Sequence, residues 1–444
     1  MRRLSNALLP GARYDRSRLR PGVVHLGLGA FHRAHQAPVF EEVVASGDPR
    51  WGIAGVAMRS PDVVTALAAQ DGLYSMNVRG GDEASPRVIG ALCALYVAAH
   101  DPERVIAAIA GGDAHIVTLT VTEKGYLDHG PESPAGLLAH AIERRRVSGT
   151  GPITVMSCDN RTANGPFARS AVLAAATAAG IPDAGLRWIA DEIAFPSTMV
   201  DRITPATTRA MIDETSAALG LRDEAAVWTE PFWQWVIEDR FAGARPSLPG
   251  VQLVSDVRPW EAAKLRLLNA AHSALAYGGL LRGYVYVHEA LHDPDLARLL
   301  DLLWDEAAET IDRSVVDVGA YRQALVRRFA NQALPHALIQ IAADGSQKIP
   351  PRIFDTIADR HARGLPSPAL TRVAADWLAA LASVEGLVDP CLVQLCAAAR
   401  APGHGRDIVA SALHAAKITD NHRPMLIETI GAALDRLRGA ETVA

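Results

Sequence analysis

Near residue 258 the chain changes its pattern, and this limits the folds open to it more than any single motif does. Before that point "GVVHLGLGA" (22–30), "WGIAGVAM" (51–58), "AHIVTLTVT" (114–122) and "PITVMSCD" (152–159) read as short strands. Between them, "FHRAHQAPVFEEVVASG" and "PERVIAAIAGG" have helical composition. Alternation of this kind predicts an α/β domain built on a parallel sheet. Beyond it, "PWEAAKLRLLNAAHSALAYGGLL", "DLARLLDLLWDEAAETI", "SPALTRVAADWLAALASV" and "GRDIVASALHAA" are all helical, so the C-terminal domain is expected to be mostly α-helical. Pro259 beside Trp260 suits a helix entry, which gives domains 1–258 and 259–444. A chain of 444 residues is also longer than one core usually supports.

Charge and cysteine content remove several classes. The formal net charge is −5, so no nucleic-acid surface is expected. The opening "MRRLSNALLPGARYD" has too short an apolar run for a signal peptide, and no apolar run reaches the roughly 18 residues of a membrane span. A cytoplasmic protein with no membrane partner is expected. Cys93, Cys158, Cys391 and Cys396 are too scattered for a disulfide framework or a zinc site, so free thiols and no metal are expected.

Gly27-Leu28-Gly29 stands where the first strand hands over to a helix. Glycines there allow a tight turn and close approach of backbone to a pyrophosphate at the helix N-terminus. The third position of the usual G-x-G-x-x-G is His32, so the fingerprint alone is weak, and a tight turn in any α/β domain is the plain alternative. At the end of the second strand, Asp62 in "AMRSPD" suits a ribose 2′-hydroxyl, whereas Arg59 suits a 2′-phosphate. NAD is the expected cofactor and NADP the alternative.

The stretch "KLRLLNAAHS" (264–273) places a lysine, an asparagine and a histidine in an otherwise core-type helix. Together with "GLGAFHRAHQA", "TVTEKGY" (120–126), "SCDN...NG" (157–165), "FPSTMVDRITPATT" (195–208) and "DGSQKIP" (344–350), it resembles the polyol-specific long-chain dehydrogenases, the mannitol dehydrogenase family. These motifs occur in family order over some 320 residues of the chain.

The resemblance implies a Rossmann-type, dinucleotide-binding N-terminal domain, a mostly α-helical C-terminal substrate and catalytic domain, a cleft between them, and metal-independent hydride transfer between NAD(P) and a secondary alcohol. It makes Lys264, first residue of K-x(4)-N-x(2)-H, the general base. A lysine serves only when neutral, so its pKa must fall from about 10.4 toward roughly 7 to 8, as partial burial beside Leu265, Leu267 and Leu268 would achieve. At ~100° per residue, Asn269 lies ~140° and His272 ~80° round an α-helix from Lys264, so one broad face can present all three.

By family correspondence Asn160 and Asn269 polarise the substrate oxygen, His272 orients a neighbouring hydroxyl, and Glu261 relays protons. Without the motif, the plain reading is a lysine reaching solvent, an asparagine on backbone and a satisfied core histidine. Cofactor contacts are expected from Gly27, Gly29, Ala30, Phe31, Arg33, Arg59, Asp62, Thr122 and Glu123. Asp201 and Arg202 are expected near substrate, with mutual pairing as the alternative. Glu123 and Lys124 are equally readable as a structural pair, and Tyr126 is expected to pack rather than react.

The chain departs from the family's motif pattern after Asn160. Arg161-Thr162-Ala163 stands where leucine or methionine, proline and a variable residue are common, and Ser197 replaces a usual asparagine. Arg161 could bind a carboxylate, as a sugar acid would require. Ala337 follows His336 where fructuronate and mannonate enzymes carry arginine, unless Arg161, Lys348 or Arg352 compensates. Lys348 is expected to reach substrate. The expected partner is therefore a polyol, its keto-sugar or a sugar acid, bound by a monomer or small homo-oligomer. A nucleotide sensor without turnover is the competing class; a zinc alcohol dehydrogenase lacks its ligands.

Overall fold

Strand β1 (Val23–Leu26) is buried at all four positions, because an apolar, β-branched run covered on both faces belongs in the middle of a sheet. The structure is a computed structural model describing residues 1–9, 13–80, 86–419 and 421–441, with backbone only for 123, 124, 440 and 441. It divides into two compact units, Met1–Arg258 and Pro259–Ala444.

In the first unit, the strands after β1 are β2 (Ile53–Ala57), β3 (Tyr74–Val78), β4 (Arg87–Ile89), β5 (Leu92–Val97), β6 (Ile116–Leu119), β7 (Thr154–Ser157), β8 (Thr198–Asp201), β9 (Val227–Thr229), β10 (Gln234–Glu238) and β11 (Gln252–Val254). The main sheet has the order β5-β2-β1-β6-β7, and every neighbouring pair is parallel. The chain goes from β1 to β2 and β5 on one side, then returns to β6 on the other. Ligands of open α/β sheets bind at such a reversal, outside the carboxyl ends of the strands. Here that place is framed by the turns after β1, β6 and β7.

Four of these five strands are legible in the sequence, each a little longer there than in the fold. β5 was not, because "LCALYV" reads equally as apolar helix. Two three-stranded sheets, β4-β3-β9 and β11-β10-β8, were likewise unforeseen.

Among the described residues the second unit has helices and no strand. Its centre is the helix Ala270–Leu280, buried at every position from Ala270 to Gly279. A helix apolar all round is stable only when other helices surround it. It is preceded by a helix Arg258–Ala263 and then, between the two, by a π-helical turn over Lys264–Asn269. The continuous α-helix expected there is therefore corrected: the Ala270 amide reaches back five residues to the Leu265 carbonyl. Two side chains take up carbonyls of this turn, the Trp304 indole on Leu267 at 3.1 Å and Arg352 on Asn269 at 3.4 Å.

A second π-turn, Pro350–Phe354, packs against the first. Its cause is plain in the sequence. Pro350 and Pro351 have no amide hydrogen to give to an α-helical ladder, and the wider turn closes instead through Asp355 N–H to the Pro350 carbonyl.

Candidate active site

The turn after β1 has the geometry its glycines suggest. Gly27 has φ +102°, and a Cβ there would lie 2.1 Å from the Thr120 carbonyl oxygen. Only glycine fits. Its carbonyl accepts the Thr120 hydroxyl at 2.8 Å and His25 Nε2 at 3.0 Å. Because a carbonyl can only accept, His25 carries its proton on Nε2, and Nδ1 accepts from Thr118 Oγ1 at 2.8 Å. Burial holds His25 at about 3, so it stays neutral.

His32, in the place of the third glycine, stacks on His25 with ring centroids 3.4 Å apart. This explains how a histidine replaces the fingerprint glycine: it packs downward into the domain, away from the exposed turn. Gly29, by contrast, is exposed, and a Cβ there would meet only the Gly27 oxygen at 3.7 Å. Nothing in the protein requires glycine at 29. A close-approaching pyrophosphate would, and the turn therefore fits a dinucleotide.

The other expected cofactor residues divide into two groups. Ala30 and Phe31 open the helix Ala30–His35 and are half-buried, while Arg59 and Asp62 are exposed beyond the end of β2, where a ribose is expected. Arg33 turns inward instead: its guanidinium donates to the carbonyls of Gly29 and Ala225 and lies over the Tyr74 ring. Thr122 is exposed at the end of β6. The side chains of Glu123 and Lys124 lie outside the described residues.

Asn160 is exposed in the turn after β7. The neighbouring Arg161 guanidinium lies over the Phe167 ring, 3.6 Å from its centroid. Tyr126 packs, as expected, with its hydroxyl 2.6 Å from Asp159. Asp201 is buried at the end of β8. Arg202 was expected near substrate, with pairing to Asp201 as the alternative. Its guanidinium donates to the Ala34 carbonyl at 2.6 Å and twice to the Glu230 carbonyl, and burial lowers it to about 10.

In the second unit Lys264 is half-buried, with Leu267 and Leu268 buried and Leu265 only half so. The π-turn changes the geometry calculated for an α-helix. Hydrogen bonding from i to i+5 brings Lys264 and Asn269, five apart, nearly one above the other rather than ~140° apart. Glu261 is buried one turn earlier.

His272 is buried against the Phe329 ring at 4.8 Å and His336 at 5.3 Å, and its Nε2 has no hydrogen-bond partner among the described residues. Burial, then the charges of His336, Arg328, Arg352 and Lys264, hold it well below the usual histidine range. Lys348 is lowered by burial and by Arg352, and its Nζ donates to the Ile341 carbonyl at 3.3 Å.

Of three further residues around this helix, Arg328 was not among the sequence candidates, His336 was noted only as the neighbour of Ala337, and Arg352 only as a possible substitute for the missing arginine. His336 is held at about 4 by burial and by Lys348, Arg328 is buried, and Arg352 is buried and lowered to about 10 by desolvation. The signals available were the half-motif "LPH" before "DGSQK" and an arginine two residues after a double proline; neither says which way a side chain points.

Among the described residues no group of three or more His, Cys, Asp or Glu could hold a metal ion, and no helix is long and apolar enough to cross a membrane.

Known proteins resemble the whole chain. Residues 21–250 match the mannitol dehydrogenase Rossmann domain, and 256–437 the mannitol dehydrogenase C-terminal domain. D-mannonate oxidoreductase of Escherichia coli (strain K12) is 36% identical, the match covering 96% of this chain and 94% of that protein. Mannitol 2-dehydrogenase of Pyrenophora tritici-repentis is 38% identical over 84% of this chain and 71% of its own length. The solved structure of Pseudomonas fluorescens mannitol 2-dehydrogenase, a ternary complex with NAD and D-mannitol, superposes with a TM-score of 0.85 at 32% identity, covering 96% of this chain and 93% of that one. A Rossmann-type unit followed by a helical unit of this kind defines an oxidoreductase. The chain belongs to the mannitol dehydrogenase family.

Proposed function

We propose that the protein oxidises a secondary alcohol of an acyclic polyol of the mannitol type to its ketose, and catalyses the reverse reduction, without a metal. The observation that carries this reading lies on one buried helix of otherwise apolar character. Lys264 and Asn269 bracket its π-turn, and His272, neutral, keeps Nε2 open. A buried ring nitrogen without a partner is costly, and a substrate hydroxyl would satisfy it.

NAD, when bound, supplies the hydride acceptor. Gly27, Gly29, Ala30 and Phe31 would hold its pyrophosphate and Asp62 its ribose, while Arg59 would suit NADP. Neutral Lys264 takes the hydroxyl proton as the C–H bond breaks, and Glu261 passes that proton toward solvent. The carboxamides of Asn269 and Asn160 donate to the oxygen as alkoxide charge develops. In the reduction, the Lys264 ammonium returns the proton.

A sugar-acid substrate is the second reading. It is favoured by Arg352, whose hydrogen bonds go to two neutral acceptors, Ser273 Oγ and the Asn269 carbonyl, with Lys348 nearby. A buried cation so placed would gain from a carboxylate.

Nicotinamide absorbance separates the readings. NAD and NADP are offered with mannitol and fructose, arabinitol and xylulose, and mannonate and fructuronate, with Lys264→Ala as control. Turnover of neutral polyols that vanishes in the control is expected. Turnover of sugar acids alone moves the assignment to the second reading, and tight cofactor binding without turnover moves it to a sensor.

A further inference from the structure

Thr122 has φ +64°. For a β-branched residue this is an outlier, held only where surrounding structure over-determines it, and such strain gathers at functional sites. What holds it is one carboxylate from the next strand's turn. Asp159 accepts the Thr122 amide on Oδ1 at 2.9 Å, and on Oδ2 the Val121 amide at 3.2 Å and the Tyr126 hydroxyl at 2.6 Å. Since the tyrosine proton goes to Asp159, Ser157 Oγ, 2.6 Å away, donates to the phenol oxygen. The main-chain carbonyl of Asp159 is pinned as well, by Asn164 Nδ2 at 3.2 Å and the Arg161 amide at 2.8 Å. That carbonyl belongs to the peptide leading into Asn160. Asn164 in turn clamps Thr198 of β8 through both its amide atoms, at 2.8 and 2.9 Å.

We propose that Asp159 is a positioning residue that locks the strained turn after β6 and the Asn160 turn after β7 into a single rigid body. The turn after β6 thereby presents Thr122 in a conformation it would not adopt alone, and the turn after β7 presents Asn160. This rests on the reading above, in which Thr122 lies beside the cofactor and Asn160 polarises the substrate oxygen. In this reading Asp159 acts through Thr122 and Asn160 and not on cofactor or substrate itself.

The test is a double-mutant cycle of Asp159→Asn with Thr122→Gly, reading kcat and the cofactor KM separately. Asparagine has one acceptor oxygen where two are needed, so D159N is expected to lower kcat at least tenfold and raise the cofactor KM at least fivefold. Glycine adopts positive φ without support. Measured against T122G, adding D159N should therefore raise the cofactor KM less than twofold, while the kcat loss, which comes through Asn160, persists. A merely stabilising carboxylate would not produce that split.

Equal KM penalties in both backgrounds, or D159N constants within twofold of the unmodified enzyme, would overturn the proposal. If D159N fails to fold alone but folds in the T122G background, the strain is confirmed as what Asp159 holds. If neither folds, Tyr126→Phe decides: a cofactor KM raised threefold supports the lock, and an unchanged one overturns it. Asn160→Ala and Lys264→Ala run in parallel. Undiminished turnover in those two would mean that the catalytic reading itself had failed, independently of the lock.

Discussion

His272 meets His336 edge to face, the two rings 5.3 Å apart and inclined at 86°. Both are held neutral, His336 at about 4 and His272 well below the ordinary value, as are the stacked His25, at about 3, and His32 in the other unit. The unfolded chain protonates these rings near 6.5, whereas the folded protein does not until far lower. Stability is therefore fully present above 6.5 and lost progressively as pH falls toward 4, by about 1.4 kcal/mol per pH unit for each ring. Urea midpoints measured from pH 7.5 to 4.5 should show this steep acid limb, and His336→Asn should make it shallower by one proton. A limb unchanged in that variant would mean His336 titrates normally.

Lys264→Ala should remove the proton acceptor without disturbing the fold, because the side chain is only half-buried. General-base loss is typically worth 10²–10⁴ in rate, so kcat should fall by about three orders of magnitude with the cofactor KM unchanged. Steady-state kinetics with a far-ultraviolet spectrum as fold control checks this.

The two glycines of the first turn should fail in different ways. Gly27→Ala drives a Cβ to 2.1 Å from the Thr120 oxygen at φ +102°, and should lower the thermal midpoint markedly or prevent folding. Gly29→Ala meets only one atom, at 3.7 Å, so its midpoint should stay near that of the unmodified protein while NADH binding weakens at least tenfold. Calorimetry and nicotinamide fluorescence titration separate the two effects.

Arg352 offers a contrast between stability and activity. Its buried guanidinium costs desolvation and is met by a hydroxyl 3.1 Å away and a carbonyl 3.4 Å away. Arg352→Met should accordingly change stability by no more than about 1 kcal/mol, yet lower kcat by roughly tenfold as the Asn269 end of the π-turn loosens. If the substrate is a sugar acid, its KM should rise as well, and that of a neutral polyol should not.

How far the molecule could be read from its residues depends on what each signal encodes. β1, β2, β6 and β7 were legible because buried parallel strands are short, continuous apolar runs; β5 was not, because alanine and leucine serve helix and strand alike. Gly27 was legible through its turn. The inward course of Arg33 and Arg202 was not, since an arginine in a motif says nothing about the carbonyls that three-dimensional packing will bring to it. The pattern K-x(4)-N-x(2)-H identified the helix, but the angle between Lys264 and Asn269 was computed for the wrong helical form. Pro350 and Pro351 were the one written hint that this region departs from α geometry. They announce the neighbouring turn.

A π-turn is an α-helix carrying one residue more than its ladder needs. The Lys264–Asn269 turn can therefore lose a residue without losing a functional group: removing Leu265 alone would leave the lysine, the asparagine and the histidine all present. The helix would close to the α form with Lys264 and Asn269 four apart, ~40° round the axis and so still on one side of it. In this helix the wide turn is what lets a fifth residue step separate the base from the asparagine without carrying them to different faces.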